Sequence, residues 1–190
     1  LTKFGGSAID AVEEAVVILE NDPVFDAGTG SVLNANGNVE MDAMLMNGSD
    51  LGAGSVIGVS CVKNPIRLCR VVMDKTPHVA FCGAGAERVA EDFGIPKIPP
   101  ETLITEAARE EYAKFKKYGR TVDTLFNKLA SDDESFHDTV GAVCCTSDGC
   151  TAADTSTCIV LPSAKTTCDL SASRLPTSTG RTKSTWAGQG

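Results

Sequence analysis

The chain has 190 residues, 42% of them hydrophobic and 22% charged, which suits one soluble domain with a real core. Its formal net charge of −8 argues against a nucleic-acid or anionic-membrane partner. No run of about 18 apolar residues occurs, so no transmembrane helix is expected, and the opening LTKFGGSAID has neither the apolar core of a signal peptide nor the look of a natural start.

The first element reads as a helix. Ser7 and Asp10 fit a capping box, and Ile9, Val12, Val16 and Leu19 recur at helical spacing until Asn21-Asp22-Pro23 ends the run. Asn36-Gly37 is a hairpin signal, because both residues tolerate positive φ, and the flanks at 31–34 and 39–46 suit strands. The stretch 54–62 suits another strand. A helix follows Asn64-Pro65, with Asn64 as its cap, and carries Ile66, Leu68, Val71 and Val72. A short strand at 79–82 leads to a helix at 86–93, which Gly94 stops. The glycines of GAGAERVA lack the full dinucleotide fingerprint and its partner acid, so nucleotide binding is not expected.

Residues 95–138 change in character. IPKIPP reads as extended, a charged surface helix covers about 105–117, and SDDESFHD (131–138) reads as a solvated, mobile linker. A strand over 140–145, a turn at Ser147-Asp148-Gly149 and a strand reaching Asp154 come next. After Thr157 the sequence becomes rich in Ser and Thr, with one acidic residue, Asp169, against Lys165, Arg174, Arg181 and Lys183. Residues 158–190 therefore read as a disordered tail. Strands and helices alternate in the order of a sheet sandwiched by helices, and no internal repeat is present.

Eight cysteines, at 61, 69, 82, 144, 145, 150, 158 and 168, form no C-x-x-C pair, and His78 and His137 lie far apart in sequence. A zinc site is poorly supported. A chain of this size buries a core without disulfides, so reduced thiols and a cytoplasmic location are expected.

Thr139 is the residue whose chemistry matters most. A threonine hydroxyl is a weak nucleophile unless a base stands beside it, and a threonine that begins a chain has its own α-amine for that purpose. This requires cleavage between Asp138 and Thr139. A mobile acidic linker upstream and a strand downstream suit such a cut, since one part moves away and the other holds the new terminus. Taken alone, Thr139 is better explained as an ordinary strand start, and the nucleophile reading is only suggestive.

HDTVGAV (137–143) followed by SDGCTAADTST (147–157) resembles the cleavage site and following hairpin of the N-terminal-nucleophile asparaginases. That family comprises the plant-type L-asparaginase/isoaspartyl peptidases and the related lysosomal glycosylasparaginases. The segments GGSAIDAVEEAVVILENDPVFDAGTGSVLNANGNVEMDAMLMNG and NPIRLCRVVMDKTPHV are similar to the family's α-subunit, and the match runs from about Gly5 to Thr157. GNVEMDAMLMNG resembles the isoaspartyl peptidase branch more than the lysosomal one. The resemblance implies an α+β fold of four layers (αββα), a precursor that cleaves itself before Thr139, pairing of the resulting α and β subunits, and a homodimer. It implies Thr139 as nucleophile and Thr157 as the helper threonine beside it. It implies hydrolysis of L-asparagine or β-aspartyl dipeptides without an organic cofactor. It also implies a structural sodium ion on backbone carbonyls of Leu19, Glu20, Asp22, Phe25, Ala27 and Thr29, an oxygen-only set that suits a hard cation.

The chain also departs from the family pattern. Asp26 stands where the family usually has Asn, and Cys158-Ile159 stand where it has paired glycines. The Arg-and-Asp motif that holds a substrate's charged α-groups has no complete copy in 158–190. The nearest echo, at 177–190, is displaced and lacks that pair, and the oxyanion-hole motif has no counterpart either. The family's opening strand would lie before Leu1, and most of its β-subunit would follow Thr157. The expected organisation is thus a partial hydrolase domain over 1–157, α-subunit-like to 138 and β-subunit-like from 139, followed by a mostly unrelated tail. A second function stays open on this reading: a catalytically inactive fragment, or an interaction partner of full-length copies.

Overall fold

The computed structural model describes residues 6–118 and 139–158. The linker expected at 131–138 and the tail from 159 onward lie outside them. Helix α1 spans Ala8–Asn21, strand β1 Met41–Asn47 and strand β2 Ala53–Val59. Helix α2 spans Pro65–Lys75, β3 Ala80–Cys82, α3 Gly83–Asp92, α4 Glu106–Tyr118, β4 Val140–Cys145 and β5 Thr151–Cys158.

The strands form one mixed sheet in the order β3-β2-β1-β5-β4. Only β2 and β3 run parallel, and the other neighbours are antiparallel. Side-chain alternation divides the sheet into two faces. Met41, Ala43 and Leu45 of β1 and Val56 and Val59 of β2 are buried beneath α1 and α2. They meet Val12 and Val16 of α1 and Ile66, Leu68 and Val72 of α2, as helical spacing predicts. The opposite face carries Met44, Met46 and Val143, the last 85% exposed. Among the described residues, a mixed sheet with four α-helices is consistent with the α+β class.

Local chemistry explains most boundaries. Ser7 Oγ accepts from Asp10 N, and the Asp10 carboxylate accepts from Ser7 N, which completes the expected capping box. Arg67 then pairs with Glu13 and Glu14, while Arg70 bridges Asp10, Glu13 and Asp74, so α1 and α2 are joined along their lengths. Helix α2 lies close against β2 at Gly54, where a Cβ would sit 2.1 Å from the Cys69 carbonyl oxygen.

Three expectations change. Residues 31–34 form no strand, although Gly37 does turn the chain at φ +81°. The reason is that side chains and local carbonyls take the backbone donors. Val32 N donates to Asp26 Oδ1, and Asn36 N and Asn38 N both donate to Asn34 Oδ1. Asn64 sits at the N-cap position of α2 without capping it. Its amide donates instead to Glu20 Oε2, and Glu20 Oε1 accepts from Ile66 N in the helix's first turn. Strand β5 continues past Asp154 to Cys158, because β1 supplies it with a partner at every position back to Met41.

The extended IPKIPP segment is tied down at Lys97, which bridges Val62, and then passes into a 3-10 turn at Pro100–Leu103 whose Leu103 is buried. Helix α4 carries the expected charged surface, with Ala108 buried beneath it. Its Tyr112 hydroxyl donates to the Ala35 carbonyl in the Asn36-Gly37 turn.

Candidate active site

The β4–β5 hairpin brings Thr139 and Thr157 together. Val140 pairs with Ser156, so the residue before β4 stands across from Thr157. Thr139 Oγ1 donates to Thr157 Oγ1 at 3.0 Å. Val140 is buried and fixes the start of the strand, and Thr155 Oγ1 donates to the Val140 carbonyl at 2.9 Å. Thr139 itself is exposed, so an exposed hydroxyl rests on a firmly held strand end. Asp138, the other side of the expected cleavage, lies outside the described residues.

Across the sheet from Thr157 stands Asp42 of β1. Its carboxylate accepts from Gly58 N at 2.8 Å, and burial raises its pKa above the ordinary carboxylate range.

Asp26 and Cys158, both departures from the family pattern, are in contact. Cys158 Sγ donates to Asp26 Oδ1 at 2.9 Å, and both side chains are buried. Burial first, and then the neighbouring Asp26 charge, push the thiol well above its ordinary pKa.

Beneath the sheet lies a group that the sequence reading missed. Glu20 and Asp154 are both buried, and desolvation raises each to about 7. Glu20 is also raised by the Asp154 charge, and Asp154 by Glu13. Asp154 Oδ1 accepts from Ala142 N at 3.0 Å, while its Oδ2 is buried without a partner. Ser156 Oγ is near enough to Glu20 to favour its ionised form, yet lies outside hydrogen-bonding geometry. The signal was present in the spacing. Glu20 continues the Val12–Val16 stripe of α1, and Asp154 alternates with Ala152 and Ser156 on the covered face of β5.

Leu19 and Glu20 lie in the last turn of α1, and Asp22, Phe25, Ala27 and Thr29 lie in the loop that follows and folds back on it. Thr29 N donates to the Glu20 carbonyl at 2.8 Å, and Asp22 N and Phe25 N donate to the Leu19 and Asp22 carbonyls. Gly28, at φ +61°, approaches so closely that a Cβ would lie 2.4 Å from the Glu20 carbonyl oxygen. The Leu19, Glu20 and Asp22 carbonyls thus already accept backbone hydrogen bonds, and these bonds close the turn. Among the described residues no cluster of three or more His, Cys, Asp or Glu side chains is arranged to hold a metal. No described helix is long and apolar enough to cross a membrane, and no disulfide links the described cysteines.

The asparaginase family model matches residues 1–160. The chain is 58% identical over 116 residues to the isoaspartyl peptidase/L-asparaginase of Mus musculus, covering 61% of this chain and 36% of that protein. It is 48% identical over 157 residues to the protein of the same name in Macaca fascicularis, covering 83% of this chain and 49% of the relative. It is 45% identical over 146 residues to the plant-type L-asparaginase of Pyrococcus horikoshii, covering 73% and 46%. The chain therefore spans half or less of the length of these relatives.

Proposed function

Since the chain belongs to the asparaginase family, we propose that it carries the nucleophile half of a threonine amidohydrolase site and splits itself between Asp138 and Thr139. The observation that supports this most directly is the 3.0 Å contact between the Thr139 and Thr157 hydroxyls at the mouth of the β4–β5 hairpin. In the splitting step Thr139 Oγ1 attacks the Asp138 carbonyl carbon. The peptide C–N bond breaks, the threonine nitrogen takes the proton, and water hydrolyses the resulting ester. Thr139 is left with a free α-amine and Asp138 with a carboxylate.

In the proposed reaction on substrate, that amine accepts the Oγ1 proton as Oγ1 attacks the carbonyl carbon of an asparagine side chain or a β-aspartyl peptide linkage. The C–N bond breaks, the leaving nitrogen takes the proton, and water releases aspartate from the ester. Thr157 holds Thr139 Oγ1 in line for attack. The backbone carbonyls of Leu19, Glu20, Asp22, Phe25, Ala27 and Thr29 would hold a sodium ion, whose contribution would be to stiffen the loop that carries Asp26. A second sheet over the Met44–Val143 face, αβ-subunit pairing and a homodimer belong to the same proposal. Turnover needs groups that hold the substrate's charged ends. Residues 158–190 contain no full copy of the family's Arg-and-Asp motif, so these 190 residues alone are expected to release ammonia at close to the background rate.

The test is the intact mass of the purified chain followed with time. Two fragments meeting between Asp138 and Thr139, absent from Thr139→Ala and retained in part by Thr139→Ser, support the reading. A chain that stays whole, or one that splits equally in Thr139→Ala, overturns it.

A further inference from the structure

Thr157 and Cys158 are consecutive on β5, so their side chains leave opposite faces of the sheet. Thr157 meets Thr139, while Cys158 turns inward beside Met41 and is 9% exposed. There its thiol donates to Asp26 Oδ1, an oxygen that also accepts from Val32 N at 2.7 Å. Asp26, 7% exposed, belongs to the loop after α1 and so reaches the strand end from outside the sheet. A thiol is a weak donor, but a buried carboxylate is a strong acceptor; removing Asp26 takes the acceptor from the thiol, and removing Cys158 leaves Asp26 Oδ1 with Val32 N alone.

The placement of this contact gives it a consequence. Three residues inward of Cys158, Thr155 already ties β5 to β4 through the Val140 carbonyl. Outward of that tie, Cys158 is the next side chain anchored to another element, and Thr157 lies between the two anchors. Strand ends fray when only the ladder holds them. A shift of about 1 Å in a reacting group can cost on the order of 100-fold in rate.

We propose that Asp26 and Cys158 are a positioning pair, a thiol–carboxylate latch that fixes the end of β5 and with it the spacing between the Thr139 and Thr157 hydroxyls. This deepens, and rests on, the reading of Thr139 as a self-cleaving nucleophile. The pair acts as a unit: the thiol supplies the proton, the carboxylate supplies the anchor to the α1 loop, and the two losses are not additive.

Two measurements on the full chain test the latch. The first is the rate of splitting between Asp138 and Thr139, taken well below the melting temperature. Cys158→Ala should slow it by about tenfold, Cys158→Ser should stay within about threefold because a hydroxyl still donates, and Asp26→Ala combined with Cys158→Ala should be no slower than Asp26→Ala alone. Equal slowing by Ser and Ala, or a lower melting temperature with an unchanged rate, would overturn the proposal. The second needs no self-cleavage. In a chain carrying Thr139→Cys and Thr157→Cys, the 3.0 Å hydroxyl contact becomes a pair of thiols within disulfide reach. Their oxidation should be at least about fivefold faster with Cys158→Ser than with Cys158→Ala, and equal rates would overturn the latch. If the unaltered chain never splits, the nucleophile reading falls and the crosslinking rates alone decide the latch.

Discussion

The Glu20 carboxylate accepts the Ile66 amide proton at 3.1 Å, so the end of α1 caps the start of α2 from within the core. This one side chain joins two helices and lies beside the covered face of β5. Burial raises its pKa from 4.5 to about 7, partly offset by the bonds from Asn64 and Ile66. A carboxyl whose folded pKa is raised favours the folded state while it is protonated in both states. That contribution is fully present below pH 4.5 and is lost as pH rises towards 7. Asp154 follows the same sign, between 3.8 and about 7.

The first prediction is therefore a loss of stability between about pH 4 and pH 7 that depends on these two groups. Asp154→Asn keeps an acceptor for Ala142 N and removes the charge that raises Glu20. It should raise the melting temperature at pH 8 and flatten the profile, and Glu20→Gln should flatten it further. Melting curves from pH 4 to pH 8 measure this. Parallel profiles for the variants and the unaltered chain would refute it.

The second prediction concerns Gly54. A Cβ there would stand 2.1 Å from the Cys69 carbonyl oxygen and 2.8 Å from Met73 N, both backbone atoms of α2. Helix and strand would have to separate. Gly54→Ala should cost about 1–3 kcal/mol, read as a lower urea midpoint with an unchanged slope.

The third prediction concerns Arg70. Its guanidinium contacts Asp10, Glu13 and Asp74, and Glu13 is the buried member. Arg70→Met removes this cation from Glu13 and leaves Arg67 as its partner in the α1–α2 ion pairs. The expected cost is about 1–3 kcal/mol in urea denaturation. A cycle with Glu13→Gln should recover part of that cost, since no buried charge is then left on Arg67 alone.

Much of this architecture was legible because local rules and packing agree. The Ser7–Asp10 capping box, the Val12–Val16 stripe and Pro65 at the start of α2 each point to the element that forms. The strand at 140–145 and the placing of Thr157 beside Thr139 were also readable, the first from its short apolar run and the second from the family motif. The rest was hidden because it depends on contacts distant in sequence. Nothing near Asn64 shows that Glu20, 44 residues earlier, takes over its capping role. Nothing near residue 32 shows that Asp26 captures its amide and keeps that stretch out of the sheet. The Asp26–Cys158 contact joins residues 132 positions apart, and each was visible beforehand only as an isolated departure from the family pattern.

The last prediction isolates Thr157. Its Oγ1 is the acceptor for Thr139 Oγ1 at 3.0 Å, and it lies on a strand paired on both sides, with β1 and with β4. Thr157→Val keeps the branched shape that suits a strand and removes only the acceptor. Folding should change little, so any effect on self-cleavage reports the hydroxyl. A positioned proton-transfer partner typically contributes about 100- to 10,000-fold, and a group that only orients contributes less. Splitting before Thr139 should fall at least about tenfold in Thr157→Val. Thr157→Ser, which keeps the oxygen, should stay within about fivefold, with melting temperatures close to that of the unaltered chain. Rates would be taken from intact masses over several hours. A Val variant that splits as fast as the unaltered chain would show that the Thr139–Thr157 contact has no part in the chemistry.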